Sequence, residues 1–158
     1  MYMVGPRDET LKLLIDSAKF YSVRQAADMQ AALLAAILPR FKSPIVVPIP
    51  TIYPHIRRRG YDHTVRMART LARRIGGEYR PALRREGASV QHGASRKERF
   101  RQAVSAFTAR QSIDAERSYL LVDDATTTGA SLLAAARALR KAGARHLYAA
   151  VTTYQPPK

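Results

Sequence analysis

Leu11, Leu14, Ile15 and Ala18 recur at three- and four-residue intervals, as do Ala26, Met29, Leu33, Leu34 and Ile37, and no proline falls between residues 8 and 38. That spacing stacks apolar side chains on one face of a 3.6-residue helix, so it predicts two consecutive amphipathic helices, broken near Tyr21 and Ser22. The pattern then changes. "PIVVPIP", residues 44–50, is short, β-branched and bounded by prolines, which predicts a buried strand followed by the Arg- and Gly-rich loop "TIYPHIRRRGYDH". Val65, Ala68, Leu71, Ala72 and Ile75 restore the helical period, and Gly76 and Gly77 supply its stop. Residues 79–111 are weakly periodic and predict a short strand near 79–83 and a helix near 95–103. "YLLVDD" predicts a strand, residues 131–141 a helix closed by Gly143, and "HLYAAVTTY" a last strand. Strands alternating with helices predict an α/β fold, an open, mostly parallel sheet with helices on both faces.

At 158 residues the chain fits one domain, with a helical part over 1–40 and a core over 44–155. It contains no cysteine, so it has neither a disulfide framework nor a cysteine-based zinc site. No apolar run approaches the roughly 20 residues of a membrane span, and the basic and acidic N-terminus lacks a signal-peptide core, which leads us to expect a cytoplasmic protein. The formal charge is +15, and its distribution matters more than its size. Residues 55–110 hold 15 Lys/Arg against 4 Asp/Glu, and over the whole chain arginine outnumbers lysine 21 to 6. Guanidinium forks match phosphate oxygens, so a polyanion or a polyphosphorylated small molecule is an expected partner. A solvated, soluble surface is the plainer reading of the same charge.

The richest chemistry lies in "VDDATTTGAS", where a predicted strand meets a predicted helix. Helix-start amides are unpaired, the macrodipole adds positive potential there, and Gly129 lets the backbone close around an anion. Thr126, Thr127 and Thr128 add hydroxyls, while Asp123 and Asp124 could accept hydrogen bonds from a sugar diol or hold a hydrated Mg²⁺. A ligand with a ribose between a 5′-phosphate and a pyrophosphate meets each requirement, and a nucleoside monophosphate meets part of them. Simple helix capping by Asp or Thr is the structural alternative. A nucleoside triphosphatase is disfavoured, because no G-x-x-x-x-G-K-[ST] loop exists in the chain.

"LLVDDATTTGAS" resembles the signature of type I phosphoribosyltransferases, which bind phosphoribosyl pyrophosphate (PRPP). "LIDSAKF", "VVPIPTIYPHIRRRGYDHT", "RMARTLARRIG", Gln91 with "SRKERFRQAVSAF", and "ALRKAGA" follow in the order of the ComF/GntX group of that family, over about residues 9–153. The resemblance implies the type I phosphoribosyltransferase fold, with Asp123 and Asp124 as catalytic residues facing the ribose and as possible holders of Mg²⁺. It implies that Ala125, Thr126, Thr127, Thr128, Gly129 and Ser131 wrap the 5′-phosphate, and that Arg57, Arg58, Arg59 and Gly60 form a flap for pyrophosphate or a nucleic-acid backbone. Tyr61, His63, Gln91, Arg96 and Arg99 are the remaining pocket candidates. Two departures stand out. Tyr61, Asp62 and His63 replace the group's usual F-N-Q after R-G, and Gln102 replaces the Asn of its R-x-x-N. The cysteine-rich zinc ribbon that begins many members is absent from these residues. The group's association with competence adds a non-catalytic alternative: single-stranded DNA binding in DNA uptake, as a homo-oligomer or with a protein of the competence machinery.

Overall fold

A computed structural model of the protein describes residues 1–51, 56–57, 60–86, 107–110 and 112–155. Its elements run β1 (Tyr2–Pro6), α1 (Glu9–Phe20), α2 (Arg24–Ile37), β2 (Ile45–Pro48), α3 (His63–Arg74), β3 (Glu78–Tyr79), β4 (Leu83–Arg85), β5 (Phe107–Ala109), β6 (Ser118–Thr126), α4 (Ala130–Lys141) and β7 (His146–Tyr154). Five of the strands form one parallel sheet in the order β1-β7-β6-β2-β3, and β4 and β5 pair as a separate antiparallel ribbon. The expected mostly parallel sheet with helices on both faces is what the chain forms.

Alternation along the central strands decides which helix goes where, because successive side chains point to opposite faces. Val46, Leu120, Val122 and Ala150 face one layer, in which Ala18 of α1, Ala27 and Leu34 of α2, and Met67 and Leu71 of α3 are buried. Ile45, Val47, Tyr119, Leu121 and Val151 face the other, against Leu132, Ala135 and Leu139 of α4 and the ribbon residues Leu83 and Phe107. Both faces being covered explains why these strands read as continuous apolar runs.

Several boundaries differ from the sequence pattern for identifiable reasons. α1 and α2 separate at Ser22, which takes a positive φ of 56°. The single strand expected near 79–83 is two, since Pro81 has no N–H to continue a ladder: Glu78–Tyr79 pair with β2, and Leu83–Arg85 pair with β5. β1 carries no alternation that foretells it; it is an edge strand in register with β7 (Met3↔Val151), where a proline is tolerated. Pro48 is accommodated similarly. Ile49 N donates to Val122 O on the β6 side, so the N–H that Pro48 lacks would face β3, whose pairing with β2 has already ended at Val46↔Tyr79. The helix expected near 95–103 lies outside the described residues.

The turn into β3 holds a tight contact. A Cβ at Gly77 would lie 2.6 Å from Pro44 O, the carbonyl that accepts from Glu78 N. We expect Gly77→Ala to push β3 away from β2 and cost about 1–3 kcal/mol, or several degrees of melting temperature. A thermal melt matching the parent protein would contradict this.

The two strand–helix–strand crossovers position the site. β2 leads through α3 to β3 on one face, whereas β6 leads through α4 to β7 on the other, so the chain diverges in opposite directions from the β2/β6 boundary. Right-handed crossovers impose that arrangement, and it opens a crevice beyond the carboxyl ends of β2 and β6.

Candidate functional site

The crevice encloses about 410 Å³ and is lined by Lys19, Phe20, Ile49, Pro50, Thr51, His63, Thr64, Arg85, Asp123, Asp124, Ala125 and Ser131. β6 runs through Thr126, two residues past the end expected from "YLLVDD", and Gly129 then turns with a φ of 73° to become the N-cap of α4. A side chain there would be strained whatever the space around it, so glycine is the residue that fits. Gly129 N donates to Thr126 Oγ1 at 3.1 Å and Ala130 N to Thr128 Oγ1 at 3.3 Å, so these hydroxyls shape the turn. Thr127, Thr128 and Ser131 are exposed at the mouth of the loop.

Strand alternation sends the two acids to opposite sides. Asp124 shares the face of Leu120 and Val122, and only 2% of it is exposed. Its Oδ2 lies 2.8 Å from Lys19 Nζ, in the last turn of α1, and 2.7 Å from His63 Nε2, at the first position of α3. Desolvation works to raise the Asp124 carboxyl, but the His63 hydrogen bond and the charge of Lys19 outweigh it and hold the group at about 2. An ionised carboxylate can only accept, so Nε2 carries the hydrogen of that contact. Asp123, partly buried, accepts from Asp124 N at 2.9 Å. Desolvation, then the neighbouring charge of Asp124, push it up to about 8, against the opposing influence of Lys19, the Asp124 amide and Arg85. Arg85 donates to Pro50 O at 3.1 Å, and its guanidinium carbon lies 4.8 Å from the Phe107 ring centroid. Burial lowers its pKa, and the charge of Asp123 opposes that.

The surroundings therefore favour ionisation of Asp124 over Asp123, and Asp124 already has two side chains around it. Arg85 and the amides at the start of α4 leave the crevice attractive to an anion despite its two carboxyl groups.

α3 begins at Asp62, whose Oδ1 accepts from Thr64 N, Val65 N and Thr51 Oγ1 at 3.0, 3.3 and 3.1 Å. This cap holds His63 in the crevice and ties the end of β2 to the start of α3. Tyr61 does not line the crevice; its hydroxyl donates to Ala18 O at 2.6 Å, and Arg24 lies 5.8 Å from its ring centroid. Arg57 is exposed and Gly60 turns with a φ of 75°. Arg58, Arg59, Gln91, Arg96 and Arg99 lie outside the described residues.

Sequence reasoning missed Lys19 and Arg85. Lys19 reads as an ordinary basic residue closing a helix, and Arg85 as one arginine among many. Neither carries a local signal that it meets Asp123 or Asp124.

The donor set discriminates between two ways of holding magnesium. Among the described residues no three His, Asp or Glu side chains converge as a metal cage, and Asp124 Oδ2 is engaged by two nitrogens. The crevice fits an ion that arrives on its ligand and meets Asp123 through water, and does not fit one clamped between both carboxylates.

No protein-family model matches the chain, and no curated protein sequence is significantly similar to it. Solved structures are similar. Glutamine PRPP amidotransferase from B. subtilis, complexed with ADP and GMP, superposes with a TM-score of 0.59 at 18% identity, covering 82% of this chain and 26% of that one. The allosteric regulatory enzyme of purine biosynthesis superposes with a TM-score of 0.55 at 17% identity, covering 79% of this chain and 25% of that one. The fold is that of the type I phosphoribosyltransferases. This chain spans about a quarter of either protein, so what is shared is the phosphoribosyltransferase fold and not the whole enzyme. Within the described residues no helix is long and apolar enough to cross a membrane.

Proposed function

We propose that the protein binds PRPP in the crevice between β2 and β6 and transfers its phosphoribosyl group to a nitrogen acceptor, releasing pyrophosphate. One observation carries this reading: a partly buried acid, Asp123, and the glycine-opened N-terminus of α4, six residues further along the chain, both lie at the carboxyl end of β6, at the sheet's switch point. The 5′-phosphate would take the turn from Ala125 to Gly129 and Ser131, and Asp123 would hydrogen-bond the ribose hydroxyls. Asp124 would act from behind, fixing Lys19 and His63 beneath the sugar.

In the reaction the acceptor nitrogen bonds to the anomeric carbon while the carbon–oxygen bond to pyrophosphate breaks, its electron pair leaving with the pyrophosphate. Arg85 and the Arg57–Arg59 loop would stabilise that developing charge, which makes positioning and electrostatics the main catalytic contributions. Mg²⁺, when bound, would neutralise part of the pyrophosphate charge. The sequence resemblance to the ComF/GntX group supports this assignment and a cytoplasmic site of action. The alternative of a protein that handles single-stranded DNA takes its support from outside the crevice.

Calorimetric titration with PRPP and Mg²⁺ tests the reading. Saturable heat is expected, reduced at least about tenfold in affinity by Asp123→Leu, which is of similar size and forms no hydrogen bond to the sugar. A folded parent protein that gives no heat would overturn it. Pyrophosphate release in the presence of candidate nitrogen acceptors then reports turnover.

A further inference from the structure

Lys19 enters the crevice from the last turn of α1. The helix dipole favours a cation at that end, but it would act equally on a lysine facing solvent. Lys19 instead sets its Nζ 2.8 Å from Asp124 Oδ2, with 26% of its side chain exposed. An ammonium has three donors, and among the described residues one acceptor, Asp124, meets it. The other donors can be offered to what enters the crevice. Asp124 also cancels most of the ammonium's long-range attraction, so what Lys19 gives a ligand depends on distance and angle, and therefore on how firmly the end of α1 is held.

That end is held from outside the crevice. The last four carbonyls of a helix have no partner within it. In α1, Val23 N donates to Ser17 O at 3.0 Å, and the Tyr61 hydroxyl donates to Ala18 O at 2.6 Å. The Ala18 carbonyl and the N and Cα of Lys19 lie in one planar peptide unit, so this hydroxyl fixes the plane from which the Lys19 side chain departs. Tyr61 is itself placed by its surroundings. It directly precedes Asp62, the N-cap of α3, and the Arg24 guanidinium carbon lies 5.8 Å from its ring centroid. His63, one residue beyond the cap, reaches the same Asp124 oxygen at 2.7 Å. Residues 61–63 therefore set both nitrogens on Asp124 Oδ2, one through α1 and one directly. The Tyr61 hydroxyl has no counterpart in the F-N-Q of the group that the sequence resembles.

From this geometry we infer that Lys19 is a ligand-contacting residue, donating to an oxygen of PRPP from the crevice wall, and that Tyr61 is the positioning residue that holds it there through the Ala18 carbonyl. The contact rests on the proposed PRPP reading, whereas the positioning by Tyr61 does not. Tyr61 lies outside the crevice lining and acts on the ligand only through Lys19.

The test is trace acylation of lysines with acetic anhydride, read residue by residue by mass spectrometry, beside calorimetric titration with PRPP and Mg²⁺ at a temperature where every variant is folded. The exposed Lys12 and Lys141 serve as internal references. Lys19 should react more slowly than either in the parent, and saturating PRPP with Mg²⁺ should slow it further while leaving Lys12 unchanged. Tyr61→Phe should speed Lys19 acylation without ligand and weaken PRPP binding, each by about twofold to tenfold, the worth of one hydrogen bond. Lys19→Met should weaken PRPP binding at least about tenfold, as loss of a charged donor does. Tyr119→Phe removes a hydroxyl that accepts from Asp114 N near the opposite end of β6, and it should leave Lys19 reactivity and PRPP affinity at the parent's values. Equal Lys19 reactivity in Tyr61→Phe and the parent, or an equal change in Tyr119→Phe, would overturn the positioning. PRPP heat without protection of Lys19, or parent-like binding by Lys19→Met, would overturn the contact. A folded parent that gives no heat would sink the proposed function and the contact with it, whereas Lys19 labelling still judges Tyr61.

Discussion

Asp124→Ala is expected to lower the melting temperature by about 6–12 °C at pH 7, the largest stability loss we foresee from a single side chain at the site. The carboxylate is 2% exposed and meets Lys19 and His63 on one oxygen. Removing one member of such a cluster leaves its partners unpaired, which costs about 3–5 kcal/mol in buried pairs. His63 cannot escape to water, but the Lys19 side chain is 26% exposed and can, so the lower end, about 3 kcal/mol, is appropriate. At this chain length each kcal/mol corresponds to about 2–4 °C. Lys19→Met should cost much less in the Asp124→Ala background than in the parent, because the ion pair it breaks is already gone there; a double-mutant cycle showing no coupling would contradict the geometry. The sign with pH follows from the depressed carboxyl. Asp124 stabilises fully above the ordinary aspartate value near 4, and its contribution is lost as pH falls from there through about 2, where parent and variant should converge.

Asp123→Asn should do the opposite and stabilise the protein at alkaline pH. The folded-state value of Asp123 is raised to about 8, so the folded chain binds a proton that the unfolded chain has released by about pH 4. Stability from this group is therefore full below pH 4, declines as pH rises through the window, and is lost above about 8. The parent's melting temperature should fall between pH 5 and pH 8.5, and the asparagine variant should flatten that fall. The difference should be near zero below pH 4, grow through the window, and reach the order of 2–3 kcal/mol in the variant's favour at pH 8.5, or about 5–10 °C, the full shift being reduced by the water that reaches this partly exposed group. Parallel curves for the two proteins would refute the burial of this carboxyl. A side chain that costs stability where it ionises is typical of a functional position, and it is consistent with Asp123 facing a ligand.

Much of the site's backbone was legible in the residue pattern. "YLLVDDATTTGAS" combines an apolar strand, a turn that needs a positive φ, and an alanine-rich helical period, all local signals that the structure reproduces within about two residues. Helix α3 was equally readable from its period and from the glycines at its end. β1 was not legible, since an edge strand is made by hydrogen bonds to β7, some 148 residues away, and needs no alternation of its own.

The acidic pair shows where local reading stops. Adjacent aspartates announce a charged site, and their chain positions alone determine that they point to opposite faces of β6. Which of them ionises depends on Lys19, His63 and Arg85, contributed by α1, α3 and β4, and on how much water those elements exclude. Backbone conformation at β6, its turn, α3 and α4 is set by neighbours within a few residues and could be read from the residue pattern, whereas the edge strand β1 and the division at Pro81 depend on partners elsewhere in the chain. Charge state is set by desolvation and by partners far away in the chain, and only the tertiary structure decided it.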